Sequence, residues 1–329
     1  MDLAAERRRA KVASLANTAH CRAVDLVTAE VVAAMRAAAI RPILLKGPAF
    51  ASWLYRDGTP RGYHDSDLLV APTGVAPASR VLRSLGFEPL YEGSVYGTSV
   101  TAPHAGTWTR GGLSGFVVDL HHTLFGAHAD TEVVWAALAN DTEMLQIAGT
   151  EVETAGSTAN ALIAALHAAS NGPHHERSRE DLARALDVAG PETWSAAARL
   201  AGEIKAEESF AAGLRILPGG QELAEDLELS QTKRVDALLR ARGAPDGAVF
   251  LHKLGGTRGW LSRGRLLART LVPDPDYMRT VYPLARRGLG GLLASYVVRA
   301  WRRLATLVPA LRAVAAARRE GRAAAAGHP

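Results

Sequence analysis

The chain has 329 residues, 48% of them apolar, a formal net charge of +5 and a single cysteine, Cys21. That apolar content excludes extensive disorder, and one cysteine excludes an intramolecular disulfide framework or a Cys-rich zinc site and fits a reducing compartment. The length suggests two domains at roughly 150 residues each, and the charge is uneven: residues 251–329 carry fifteen Lys/Arg against three Asp/Glu, leaving the first 250 residues net acidic.

The N-terminal "MDLAAERRRAKVASLANTAH" lacks the apolar stretch of a secretory signal, so a cytoplasmic location is expected. Residues 2–39 predict a helix with Val24, Val27, Val31 and Met35 near helical spacing. Pro42 opens "PILLK", a short apolar run suited to a buried strand. "GPAFASWLYRDG" follows as a helix, with Gly47 ahead of it, Pro48 in its first turn and Gly58 ending it. "SDLLV" predicts a second strand, and "APASRVLRSLGF" a helix closed by Gly86.

Residues 88–124 are β-rich, in segments such as "SVYGTSVT", "GTWTR" and "GFVVDLHHTL" separated by turn signals. From Asp130 the pattern turns helical, through "DTEVVWAALA", "STANALIAALHAAS", "SREDLARALDVA" and "ETWSAAARLAGEIKAEESFAAGLRIL". "EMLQIAGTEVETA" reads as a hairpin, and residues 271–283, "LVPDPDYMRTVYP", as a proline-punctuated connector. No repeat recurs at a fixed period. The expectation is an α+β protein, with a mixed-sheet αβ domain over residues 1–150 and a mainly helical domain over 151–329.

The C-terminal "GLGGLLASYVVRAWRRLATLVPALRAV" is too interrupted by arginine to span a bilayer. It predicts an amphipathic helix, or a pair bent near Pro309, docked on the protein's own core. Attachment to a membrane surface is the alternative.

The chemistry concentrates in "RGYHDSDLLV". If a strand begins at Asp65, Asp65 and Asp67 share one face, about 7 Å apart at their Cα atoms. Two such carboxylates repel unless they share a cation or do acid–base work. "VVDLHHTL" adds Asp119 flanked by apolar residues, an acid expensive to bury unsatisfied, with His121 on its face and His122 on the other. "LLKGPAF" ends a buried strand in Lys46 and Gly47, where a glycine lets phosphate approach helix amides and the lysine adds positive charge. Arg61 precedes Asp65 by four residues, placed to contact a triphosphate or brace the carboxylates. "GPHHERSRED" reads as a polar inter-helix loop and "KLGGTRGWLSRGR" as a basic loop leading into a helix. No P-loop, Gly-x-Ser-x-Gly or His-Glu-x-x-His motif occurs.

Taken together, "ILLKGPAFASWLY…RGYHDSDLLV…VVDLHHTL" resembles the nucleotidyltransferase superfamily of DNA polymerase beta. More narrowly, it is similar to a bacterial nucleotidyltransferase-like family with Lys-Gly, Arg-x-x-x-Asp-x-Asp and Val-Asp-Leu-His motifs, some members of which sit in clusters for lasso and other ribosomal peptides. The likeness covers residues 20–125, and His167 and the Asp181/Asp187 segment fit it loosely. The wider superfamily usually has Gly-Ser at the first turn; here Gly47-Pro48 follows Lys46, as in the narrower family.

The resemblance implies transfer of a nucleotide from an NTP to a hydroxyl of a peptide or small-molecule acceptor. Asp65, Asp67 and Asp119 would hold two Mg²⁺ ions about 3.5–4 Å apart. Lys46, Gly47 and Arg61 would bind the nucleotide phosphates, and His121 would stand behind the metal ligands. Transfer to tRNA, as in toxin-like relatives, with the basic C-terminal region as the RNA surface, is one alternative. A catalytically weak nucleotide-binding scaffold is another.

Overall fold

A computed structural model describes residues 3–90, 104–111, 115–245, 247–273 and 275–326; "SVYGTSVT" lies outside them. The chain forms a mixed α+β fold. Helix α1 (Leu3–Ala37) buries Val24, Val27, Val31 and Met35, the stripe the sequence spacing predicts. It closes with Ala39 in the left-handed region (φ 57°), where the Ile40 amide turns back to the Met35 carbonyl.

Among the described residues, seven strands form one sheet: β1 (Ile43–Leu44), β2 (Asp65–Leu69), β3 (Glu88–Pro89), β4 (Ala105–Arg110), β5 (Phe116–His121), β6 (Thr142–Ile147) and β7 (Thr150–Ala155), in the order β3-β4-β5-β2-β1-β7-β6. Strand β2 runs antiparallel to β1 and parallel to β5, and β1 runs parallel to β7. The expected hairpin is β6–β7, paired from Ile147↔Thr150 outward.

Alternation along β2 and β5 separates two faces. Leu68, Val118 and Leu120 join Val27, Val31 and Met35 of α1 and Ala78 and Leu82 of α3 (Val75–Ser84) in one core. Ser66, on that same face, is satisfied by the Thr28 hydroxyl at 2.6 Å. The opposite face therefore receives residues 65, 67 and 69 of β2 and 117, 119 and 121 of β5. Helix α2 (Pro48–Leu54) links β1 to β2, and α4 (Thr131–Ala139) leads into the hairpin.

After β7 the chain is helical: α5 (Ser157–Asn171), α6 (Glu176–Val188), α7 (Pro191–Glu203), α8 (Glu207–Leu214), α9 (Pro218–Asp226), α10 (Val235–Ala241), α11 (Ala248–Gly256), α12 (Trp260–Leu271), α13 (Pro275–Val281), α14 (Gly288–Ala305) and α15 (Leu307–Ala326). The long run beginning "ETWSAAAR" is interrupted between α7 and α8. Lys205 adopts a left-handed conformation (φ 54°) and the Ala206 amide returns to the Ala201 carbonyl, so Ile204 and Ala206 are both buried. The stretch 271–283, expected as a connector, contains α13. The C-terminal break falls at Thr306, and Pro309 sits in the first turn of α15, where a missing amide is tolerated.

The chain forms two compact units. One comprises the sheet and most of the chain up to Glu207; the other is built chiefly of residues from Glu208 onward. Among the described residues, no helix is long and apolar enough to cross a membrane.

Candidate active site

The site begins with the register of β2 on β5, which sets Asp67 directly opposite Asp119. The compensating charge comes from the chain just beyond strand β1. The Leu45 amide donates to the Asp67 carbonyl at 3.0 Å, so the next residue, Lys46, emerges beside Asp67 and its Nζ lies 2.7 Å from Asp67 Oδ1. His121, two residues beyond Asp119, places its Nε2 3.0 Å from the same oxygen.

Asp67 and His121 are buried and Asp119 is partly so. Each of the three offers a ligand atom, and these atoms lie within 4.8 Å of one another. Asp65 lies outside that group but on the same strand face, near enough for its charge to act on Asp67. Asp119 accepts a hydrogen bond from the Thr107 side chain of neighbouring β4, while its Oδ1 is buried with no hydrogen-bond partner among the described residues.

The electrostatics follow from this crowding. Repulsion from Asp67, then burial, pushes the Asp65 carboxyl up to about 6. Burial, then repulsion from Asp67, also raises Asp119. Asp67 goes the other way: burial opposes its charge, but Lys46 and His121 together hold it below the usual carboxylate range. Burial likewise opposes the Lys46 ammonium, yet attraction to Asp67, and then to Asp65 and Asp119, keeps its pKa above the usual lysine value. Three acids are thus assembled around one lysine, and a buried carboxylate oxygen is left unsatisfied. That donor set fits a divalent cation, which takes oxygen ligands and removes the repulsion.

Gly47 adopts φ 60° and ψ −116°, a backbone conformation that glycine takes readily. A Cβ there would meet nothing closer than 3.6 Å, so the demand for glycine is conformational rather than steric. Arg61 fastens this turn by donating from Nη1 to the Gly47 carbonyl at 3.1 Å. Two further side-chain hydrogen bonds form a fork on Asp181 of α6, Nε to Oδ1 at 2.8 Å and Nη2 to Oδ2 at 2.7 Å. The sequence placed Arg61 where it would meet a triphosphate or brace the carboxylates; in the fold it is buried and committed to Asp181 and the Gly47 turn.

Asp181, which the sequence marked only as part of a segment loosely fitting the family, is the partner that local reasoning did not join to Arg61. It also accepts the Tyr55 hydroxyl at 2.9 Å. Its signal was its place in α6: Ser178, Asp181, Leu182 and Ala185 form one buried stripe, so an acid at that position requires a buried partner. The lead-in to β2 is fixed to α1 as well. Tyr63 donates to Asp25 at 2.7 Å, and the Cys21 thiol makes long contacts to the carbonyls of Arg61 and Tyr63, at 3.9 and 3.8 Å.

A family model described as uncharacterised nucleotidyltransferase matches residues 3–218. No curated protein matches the chain. Among solved structures, the antibiotic-resistance factor ANT(2'')-Ia in solution aligns at 18% identity over 58% of this chain and 94% of its own, with a TM-score of 0.40. Its crystal structure in complex with adenylyl-2''-tobramycin aligns at 17% identity over 54% and 97%, also at 0.40. An antigenic nucleotidyltransferase-like protein from Paracoccidioides brasiliensis aligns at 16% identity over 56% and 92%, at 0.34.

Proposed function

This chain belongs to the uncharacterised nucleotidyltransferase family and is a transferase, and from that premise we propose that it moves a nucleoside monophosphate from an NTP to a hydroxyl of a peptide or small biosynthetic acceptor. The observation that carries the reading is the Asp67–Asp119 pair, compensated by Lys46 and His121 and leaving Asp119 Oδ1 unsatisfied. The peptide or small-molecule acceptor rests on the motif resemblance alone.

Asp65, Asp67 and Asp119 would hold Mg²⁺, which when bound supplies neutralisation of phosphate charge and acidification of a coordinated hydroxyl. The chain's own groups account for the remaining work. Asp119 is made more basic than a surface aspartate by burial and by Asp67, and its free Oδ1 takes the proton of the acceptor hydroxyl. The acceptor oxygen forms its bond to the α-phosphorus as the bond from that phosphorus to the bridging oxygen breaks, and pyrophosphate leaves with the electron pair. Lys46 stands at the strand end, kept cationic by the acids, and offsets charge on the phosphates. Arg61 and Asp181 hold the Gly47 turn in place through the Gly47 carbonyl.

The test is calorimetric titration of the four NTPs, as non-hydrolysable analogues with Mg²⁺, into the wild type and Asp65→Asn/Asp67→Asn. Metal-dependent binding of an NTP that the double variant loses is the expected result. A folded wild type that binds none of the four, with candidate acceptors present as well as absent, would overturn the reading.

A further inference from the structure

Helix α14 is seated with the wrong face inward for a helix surrounded by water. Leu289, Leu293, Val297, Trp301 and Leu304, spaced three or four residues apart, lie along one arc and are 63 to 76% exposed. Val308 and Leu311 continue the exposed apolar surface into α15. The side of α14 that is buried carries Leu292, Ser295 and Arg299. Leu292 joins Met278 and Ala285 in a small cluster, the Ser295 hydroxyl donates to the Gly291 carbonyl at 2.8 Å, and Arg299 stacks over Tyr277 at 5.6 Å. Burying the leucine–tryptophan arc instead would remove far more apolar surface from water, so its outward position calls for a covering.

The charge around the arc identifies that covering. From Tyr277 to Arg319 the chain has no acidic residue and nine arginines. Arg303 flanks the stripe on the helix, and Arg287 and Arg312 stand beyond its two ends. An apolar helix face with tryptophan and leucine, bordered by cationic side chains, matches the boundary between acyl chains and anionic headgroups. A second copy of the chain would bring arginine borders against each other, and nucleic acid would find almost no hydrogen-bonding group on the arc. The helix is also unsuited to crossing a bilayer. We propose that the exposed face of α14 docks flat on an anionic phospholipid surface.

The experiment is co-sedimentation of the full chain with vesicles of phosphatidylcholine alone and of equal parts phosphatidylcholine and phosphatidylglycerol. The wild type should bind the anionic vesicles at least tenfold more tightly than the neutral ones. Leu293→Ser/Val297→Ser/Trp301→Ser should lower that binding tenfold or more, and Arg287→Glu/Arg312→Glu should erase the preference for phosphatidylglycerol. The altered side chains are exposed, and circular dichroism checks that each variant is folded; Leu293→Asn alone replaces the triple variant if it is not. Absence of binding to anionic vesicles, or binding that the apolar substitutions leave unchanged, overturns the proposal. So does a wild type that ignores vesicles and forms dimers that the triple variant cannot.

Discussion

Asp67 and Asp119 are direct partners across the parallel β2–β5 pair, an arrangement in which two like charges face each other on adjacent strands. Like charges placed this way are destabilising, and here Lys46 and His121, both on Asp67 Oδ1, offset the repulsion. Asp67 is therefore the fixed anion of the site, and Asp119, with its free Oδ1, is the group left to bind or react. Asp119→Asn should retain NTP binding and lose turnover by ~10²–10⁴-fold, the range for removal of a general base. Asp67→Asn should lose both, since it also releases Lys46 and His121. Titration and single-turnover assays on the two variants separate these outcomes; equal loss of binding in both would remove Asp119 from the role of base.

Asp65 carries the opposite consequence for stability. Its carboxyl is raised from 3.8 to about 6 in the folded chain. A carboxyl raised by folding contributes stability below its unfolded pKa, and that contribution disappears as the pH rises through the folded value. Above pH ~6 the charged Asp65 beside Asp67 costs up to about 3 kcal/mol. Asp65→Asn should therefore make the metal-free protein more stable than wild type at pH 8, with the difference shrinking toward pH 4. Urea unfolding in the presence of a chelator, at both pH values, measures it. A variant less stable than wild type at pH 8 would contradict the repulsion on which this rests.

The Arg61–Asp181 fork joins residues 120 positions apart in the chain. Both side chains are almost wholly buried, so removing one leaves an uncompensated charge. Asp181→Ala should destabilise the protein by about 3–5 kcal/mol, whereas Arg61→Met/Asp181→Leu should recover much of that loss. Arg61→Lys should not substitute, because an ammonium cannot hold Asp181 bidentately and also reach the Gly47 carbonyl. Denaturant melts of these variants and of the single changes Arg61→Met and Asp181→Leu decide the matter, and additive losses in the double variant would show that the two residues do not act as a pair.

What could be read from the sequence divides along the same line as these interactions. Strand alternation in "DSDLLV" and "VVDLHHTL" placed Asp65 with Asp67 and Asp119 with His121, each pair on one face of its strand, because period two is a local property. The α1 stripe and the β6–β7 hairpin were legible for the same reason. Partnerships across the chain were not. Nothing adjacent to Arg61 signals that α6 will supply Asp181, and Lys46 reaches Asp67 only because β1 lies antiparallel to β2. The end of α7 was also hidden, since Lys205 takes a left-handed conformation without the glycine that usually marks one. The orientation of α14 escaped local reasoning because its apolar period is plain while the side on which it seats is decided by Met278, Ala285 and Tyr277.

Lys46 gives the most direct reading of whether the acids await a cation. Its ammonium is the nearest positive charge to Asp67 and also attracts Asp65 and Asp119. Replacing it by methionine keeps most of the side chain's length and removes that charge. Asp65, Asp67 and Asp119 then repel one another without their central counter-ion, so the metal-free variant should melt below wild type. Any cation that binds only the folded state raises stability in proportion to its affinity. In Lys46→Met the cation has more repulsion to relieve and no ammonium to compete with on Asp67 Oδ1. Saturating MgCl₂ should therefore raise the Tm of Lys46→Met by more than it raises that of the wild type. Thermal melts with chelator and with MgCl₂ provide the comparison, with NaCl at matched ionic strength accounting for simple screening. A smaller Mg²⁺ response in the variant would mean that Lys46 itself, rather than a metal, is the resident counter-ion of the three aspartates.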